Sequence, residues 1–326
     1  MQLTLIDKTW EKRSDASAQA AFGKADKEAR NLVQGLITKA ISGFYYVVPD
    51  GEPDTLLQCR AKGVFRKKKV SPLVGDRVVV EDGNVVAEIL PRKNEILRPP
   101  AANLDLALMT VASVKPAPNA LVLDKLIAVC EYKGIEPVIV ITKTDLDSGG
   151  EFADIYRKAG FTVLFSGEDE PNTKEILSVM RGKNCIFIGN SGVGKSTLLN
   201  RLFPDLALRT AEISDKLGRG RHTTRHVELF PIPGGGYVAD TPGFSTVELE
   251  KYEPIRKEEL ARCFREFAQY EGECQFADCA HLKEKGCAVL VAIEAGEIPK
   301  SRHESYLALY EDAKKIPDWE REDREK

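Results

Sequence analysis

Residues Gly189, Asn190, Ser191, Gly192, Val193, Gly194, Lys195, Ser196 and Thr197 read G-x-x-x-x-G-K-S, a spacing that grips the phosphates of a nucleoside triphosphate. The glycines let backbone N–H groups wrap the phosphates, and the following helix N-terminus adds a positive dipole end. Lys195 is the residue to reach the β- and γ-phosphates as a catalytic cation, and Ser196 the one to hold Mg2+. A second group, Cys274-x4-Cys279-x-His281-x5-Cys287, offers three thiolates and one imidazole within 14 residues. That set suits tetrahedral Zn2+, and four protein ligands leave no open position, so the ion would be structural. Cys263 on the preceding segment reads as core, and His226 and His303 as ordinary surface or core residues.

Three further segments specify the base and the switch. Thr142-Lys143-Thr144-Asp145 ends an apolar run, where an aspartate can accept from guanine N1–H and N2–H together, a pairing adenine does not offer. The usual form is Asn-Lys-x-Asp, so Thr142 weakens or alters one contact to the base or to the phosphate loop. Ser166-Gly167 can supply a backbone N–H to guanine O6. Asp240-Thr241-Pro242-Gly243 follows another strand as D-x-x-G, with Asp240 toward Mg2+ and the Gly243 N–H toward the γ-phosphate. In Ras-like GTPases the phosphate loop comes first. Here positions 142–145 and 166–167 precede it, and 240–243 closes the set, which is the order of a circularly permuted G domain. Phe244 stands where Ras-like enzymes carry a water-positioning glutamine, so intrinsic hydrolysis should be slow. His222 is the candidate to orient or polarise the water, the competing reading being a solvated or RNA-contacting loop residue. Either Thr223 or Thr224 would be the switch threonine on Mg2+.

The surrounding elements must hold these groups. From residue 103 the pattern alternates strand and helix: strands at 104–114, 137–141, 161–165 and 185–188, helices at 121–132, 152–159 and 173–180. That is the rhythm of a mostly parallel sheet covered by helices. Residues 227–232 and 236–239 form a hairpin leading to Asp240. Before this, residues 33–99 hold five short strand signals (35–40, 44–48, 55–60, 77–80, 85–90) separated by Pro-Asp-Gly, Gly-Asp and Asp-Gly-Asn turns, which suggests a small β-barrel of the OB-fold type. Arg60 to Lys69 carries six basic residues and no acid, and falls in or beside a loop of that barrel. With Tyr45, Tyr46 and Phe65 as stacking faces it would suit nucleic acid; otherwise it is a solvated loop over core tyrosines. From residue 251 the chain turns helical and charged, with expected helices at 258–270, 289–295 and 301–315 flanking the cysteine cluster.

Composition sets the outer limits. The 326 residues suggest two or three domains, and 43% hydrophobic content is enough for packed cores. No apolar run approaches the roughly 18 residues of a membrane span, and residues 1–30 lack the apolar stretch of a secretory signal. A soluble cytoplasmic protein is expected. Net charge is only -3, so any nucleic-acid contact must come from a local patch. Of seven cysteines, Cys59, Cys130 and Cys185 lie in apolar runs as small buried thiols.

Taken together, the barrel signals, the permuted motif order, the Gly218-Arg219-Gly220-Arg221-His222-Thr223-Thr224 loop and the Cys/His spacing resemble the RsgA (YjeQ/EngC) family of circularly permuted GTPases of small-subunit maturation, over residues 33–315. The resemblance implies four parts: an N-terminal extension (1–32) longer than expected, an OB-fold RNA-binding domain (33–99), a permuted α/β P-loop GTPase domain (100–250) and an α-helical zinc-binding domain (251–326). It implies GTP/GDP, Mg2+ and one structural Zn2+ as ligands, and the 30S ribosomal subunit with its 16S rRNA as partner of a monomer. It also points to His222 as the catalytic residue. The rival readings are an ATP-using P-loop enzyme, against which Thr142–Asp145 and the lack of a lid segment speak, and an RNA-binding scaffold with little hydrolysis, against which Lys195, Ser196 and Asp240 speak.

Overall fold

Near-continuous apolar runs such as Leu106–Ala112 and Glu136–Thr142 build strands that are buried on both faces, the pattern parallel sheets require. The computed structural model describes residues 32–67, 70–97, 99–169, 172–204, 227–240 and 254–315. In chain order the strands are β1 (Val33–Ile41), β2 (Phe44–Pro49), β3 (Leu57–Ala61), β4 (Arg77–Glu81), β5 (Val85–Ile89), β6 (Glu95–Leu97), β7 (Pro100–Ala102), β8 (Leu106–Ala112), β9 (Glu136–Thr142), β10 (Thr162–Ser166), β11 (Lys183–Ile188), β12 (Glu228–Pro231) and β13 (Gly236–Asp240). The α-helices are α1 (Gly63–Lys67), α2 (Ala120–Tyr132), α3 (Gly150–Lys158), α4 (Thr173–Met180), α5 (Lys195–Leu202), α6 (Lys257–Leu260), α7 (Ala288–Glu294) and α8 (Lys300–Ala313).

Strands β1-β2-β3-β5-β4 pair in that order, and β4 closes back onto β1, giving a five-stranded barrel. Register shifts between Ile37 and Lys39 and between Val79 and Val80 supply the bends that closure needs. The second half of the sheet runs β10-β9-β8-β11-β13-β12, parallel throughout except for β12. One face carries α2 and α3 over Met109, Ile139 and Ile141; the other carries α4 and α5 over Leu108, Val140 and Phe187. The two halves are one sheet, because Lys39 of β1 pairs with Glu228 of β12 and the two side chains form an ion pair of 2.6 Å.

The C-terminal segment departs from expectation. Residues 258–270 are not one amphipathic helix: α6 is followed by 3-10 turns at Ala261–Cys263 and Arg265–Tyr270, broken at Phe264, whose φ of -114 and ψ of 88 leave the helical region. Tertiary contacts override the periodicity here. The break buries the Phe264 ring against Phe267 and Tyr306, with centroids 5.4 and 5.2 Å away, while Glu266 turns inward to Arg302. The periodicity also missed the β6–β7 hairpin, and the basic segment read as loop contains the short helix α1. No described helix is long and apolar enough to cross a membrane. The extension at 1–31, the tail at 316–326, the loop at 218–224 and Gly243 lie outside the described residues.

Candidate nucleotide site and metal centre

Parallel strands deliver their C-terminal ends to one edge, where an α/β sheet binds ligands. That edge collects β11 with the phosphate loop, β9 with Thr142–Asp145, β10 with Ser166-Gly167, and β13, which ends at Asp240. His222, Thr223, Thr224 and Gly243 lie outside the described residues, and Asp240 is placed by its backbone alone.

The phosphate loop turns through Gly192 and Gly194, and Gly194 takes φ +90 as it enters α5, a conformation that favours glycine. Lys195 folds back over the loop, its Nζ donating to the Gly189 carbonyl at 3.0 Å. Burial holds the Lys195 ammonium below its ordinary range, a cost that an anionic phosphate would offset. Ser196 and Thr197 follow in the first turn of α5, after Asn190, Ser191 and Val193 of the loop in chain order.

Thr142 is buried, and its hydroxyl donates to the Val193 carbonyl at 2.5 Å, with the Val111 carbonyl 3.2 Å away. The altered motif residue therefore ties the Thr142–Asp145 segment to the phosphate loop. Lys143, at φ +58, donates to the Lys115 carbonyl, and its own carbonyl accepts from Ser113 Oγ at 2.9 Å. The Ser113–Asn119 loop after β8 thus supports the base side of the site, and periodicity did not find it. The available signal was its proline spacing and Asn119, which caps α2 by accepting from the Val122 N–H at 3.1 Å. Asp145 Oδ1 accepts the Glu168 N–H at 3.0 Å. Gly167 lies so close to Thr144 and Asp145 that a Cβ there would meet Thr144 Oγ1 at 2.6 Å. The two base-side segments are interlocked.

The four metal-type residues also converge. The donor atoms of Cys274, Cys279, His281 and Cys287 all lie within 4.8 Å of one another. His281 Nδ1 is 3.6, 3.7 and 3.4 Å from the sulfurs of Cys274, Cys279 and Cys287, and the Cys274 and Cys287 sulfurs are 3.9 Å apart. Tetrahedral Zn2+, with bonds near 2.3 Å to sulfur and near 2.05 Å to nitrogen, requires separations of about 3.8 Å between sulfurs and about 3.6 Å from nitrogen to sulfur. The residues fit. Burial, with the neighbouring Cys287 and Cys274 thiols, pushes the Cys279 thiol up, and a bound cation would be what holds it as the thiolate. The support is built in: Glu284 accepts N–H groups of Leu282 and Lys283 at 2.7 and 3.0 Å, and Tyr306 donates to the Ala280 carbonyl at 2.7 Å. His303 is buried with Nε2 2.7 Å from the His281 carbonyl, so it braces a ligand-bearing residue.

The helical module is seated on the nucleotide-binding half by charge that the sequence did not reveal. Arg302 of α8, fully buried, donates to Glu266 at 2.7 and 3.2 Å and to Asp124 of α2 at 2.5 Å. Arg265 grips Glu131 and Glu136. On the barrel, Lys62 pairs with Glu81 at 2.7 Å, and Arg60 lies over the Phe44 ring at 5.0 Å. Tyr45 and Phe65 pack against the barrel core, so of the expected stacking faces these two serve the core as well. Cys59, Cys130, Cys185 and Cys263 are buried thiols.

Two family models match the chain. Residues 34–86 match the RsgA N-terminal domain and residues 89–250 match the RsgA GTPase. The small ribosomal subunit biogenesis GTPase RsgA of Enterococcus faecalis is 47% identical over 285 residues, covering 84% of this chain and 93% of that one. Its namesake from Bacillus subtilis is 43% identical over 296 residues, covering 87% and 98%. Among solved structures, YloQ, described as a circularly permuted GTPase, is 37% identical with a TM-score of 0.71 over 88% of this chain and 97% of that one. YjeQ from Thermotoga maritima is 30% identical, with a TM-score of 0.74 over 88% and 100%.

Proposed function

The chain belongs to the RsgA family of circularly permuted GTPases and hydrolyses GTP, and on that premise we propose that it binds the 30S ribosomal subunit late in its maturation and turns over GTP fastest there. The relatives' names, small ribosomal subunit biogenesis GTPase, supply the class of partner. The observation that carries the nucleotide reading is the interlocked edge, where Thr142, Asp145, Gly167 and the phosphate loop brace one another. In this reading Gly189–Thr197 cradles the phosphates, Thr142–Asp145 and Ser166-Gly167 read guanine, and Lys195 stabilises charge on the transferring phosphoryl group. Ser196, Asp240 and one of Thr223 or Thr224 would hold Mg2+, which neutralises phosphate charge when bound. His222 orients the attacking water when the protein is on the subunit, and the Gly243 N–H senses the γ-phosphate.

A physical route from nucleotide to barrel supports the switch. Asp240 of β13 stands opposite Glu228 of β12, and Glu228 stands opposite Lys39 of the barrel. A shift at the D-x-x-G segment is therefore two strands from the barrel that carries the basic segment. In this proposal the barrel and the zinc module contact 16S rRNA, the protein acts as a cytoplasmic monomer, and the Zn2+ is structural. The test is GTP turnover with and without 30S subunits, expected to rise sharply with them. A rate indifferent to 30S subunits would refute the subunit reading, and an undiminished stimulated rate in His222→Ala would refute the catalytic assignment.

A further inference from the structure

The two base-side segments meet through a single peptide unit, and that unit is held at both ends. Its carbonyl, Gly167 O, accepts from Arg201 Nη1 at 2.7 Å. Its N–H, that of Glu168, donates to Asp145 Oδ1 at 3.0 Å. The peptide is trans, so its C=O and N–H point in opposite directions across one rigid plane. Arg201 and Asp145 therefore stand on opposite sides of the same plate. Gly167 packs too closely on its neighbours for any side chain: a Cβ there would lie 2.6 Å from Thr144 Oγ1 and 3.2 Å from the Asp145 nitrogen.

Arg201 comes from α5, the helix that begins with Lys195 at the phosphate loop. One rigid helix thus presents a phosphate-side lysine at its start and, in its last turn, a guanidinium that reaches the base side. A cationic donor on the carbonyl makes a strong hydrogen bond and polarises the peptide, which strengthens its N–H as a donor to Asp145. An ionised carboxylate has about four acceptor positions on two oxygens. With Oδ1 oriented by the Glu168 N–H, the second oxygen is set in direction for a ligand.

We propose that Arg201 is a positioning residue for guanine selectivity, acting through the 167–168 peptide to aim the Asp145 carboxylate. Arg201 does not touch the nucleotide in this scheme. The inference rests on Asp145 as the base reader, and the experiment separates the two.

Dissociation constants for GDP, IDP and ADP are measured by competition against a fluorescent GDP analogue, for the full chain and for Arg201→Ala, Arg201→Lys, Asp145→Ala and the Arg201→Ala/Asp145→Ala double variant. Inosine lacks the 2-amino group and so forfeits one of the two contacts to the carboxylate. Arg201→Ala is expected to weaken GDP about tenfold, to lower the GDP-over-IDP preference and to leave ADP unchanged. Arg201→Lys, which keeps a donor, should retain most of the preference, and the double variant should be no worse than Asp145→Ala alone. If Asp145→Ala keeps the preference, the base-reader assignment itself fails. If Asp145→Ala loses it but Arg201→Ala keeps it, or weakens all three nucleotides alike, the positioning role is refuted. Should Arg201→Ala not fold, Arg201→Met against Arg201→Lys decides, since the two have similar length and only lysine can donate; equal preferences would overturn the proposal.

Discussion

Replacing Arg302 by methionine should detach the C-terminal helical module from the nucleotide-binding half while leaving each sequence motif intact. The guanidinium is fully buried and bonds two carboxylates, Glu266 at 2.7 and 3.2 Å and Asp124 at 2.5 Å. It also lies 4.6 Å from the Phe264 ring centroid and 5.3 Å from that of Phe161. Methionine fills much of the volume but strands both carboxylates away from water. Breaking a buried ion pair by removing one partner costs about 3–5 kcal/mol, whereas replacing all partners by apolar groups is often neutral or stabilising. The assay is native-state hydrogen exchange of the Lys300–Ala313 amides, which reports local opening. At about 1.4 kcal/mol per tenfold, protection in Arg302→Met should fall by roughly 150- to 4,000-fold. Burial already holds the Asp124 carboxyl above its ordinary range while Arg302 pulls it back, so the variant should raise it further. An acid whose folded pKa is raised binds its proton more tightly when folded. Its penalty is absent below the ordinary carboxylate range and grows as pH rises through the raised folded value. A triple variant, Arg302→Met with Asp124→Leu and Glu266→Met, should recover most of the protection. Loss of less than tenfold in Arg302→Met, or no recovery in the triple variant, would refute the reasoning.

Two further outcomes follow from the site. Thr142→Val deletes the 2.5 Å bond to the Val193 carbonyl, which at about 1–2 kcal/mol corresponds to roughly 5- to 30-fold weaker GDP binding by fluorescence titration; wild-type affinity would show that Thr142 is not the brace. The chain should carry one zinc by native mass spectrometry, and Cys279→Ser should lose the ion and melt at lower temperature by circular dichroism; a metal-free wild type, or an unchanged melting temperature, would remove the structural-zinc reading.

Much of the site is legible in local signals. The phosphate loop, Thr142–Asp145, Ser166-Gly167, Asp240 and the Cys/His spacing are short segments whose chemistry is contained in their own residues. The barrel strands and the βα rhythm are legible for the same reason, since period and turn residues are local properties. What escapes is long-range. Residues 258–270 carry a helical pattern, but burying Phe264 while Glu266 reaches Arg302 breaks it. The support from Ser113 to Asn119 escapes because its contacts to Lys143 are made by backbone and a hydroxyl, which leave no periodicity.

By itself the sequence determined which chemical groups the chain offers and in what order they stand along it. Tertiary structure decided how they are held. Thr142 reads as a departure until its hydroxyl is seen on the Val193 carbonyl, and nothing in the sequence singles out Arg201, which the fold places on the Gly167 carbonyl. Asp124, Glu266 and Arg302 are ordinary charged residues in the sequence, and only folding takes them out of water together. The reason is physical: a motif is encoded by neighbours along the chain, whereas a buried bond between residues 178 positions apart exists only once the core has brought them together.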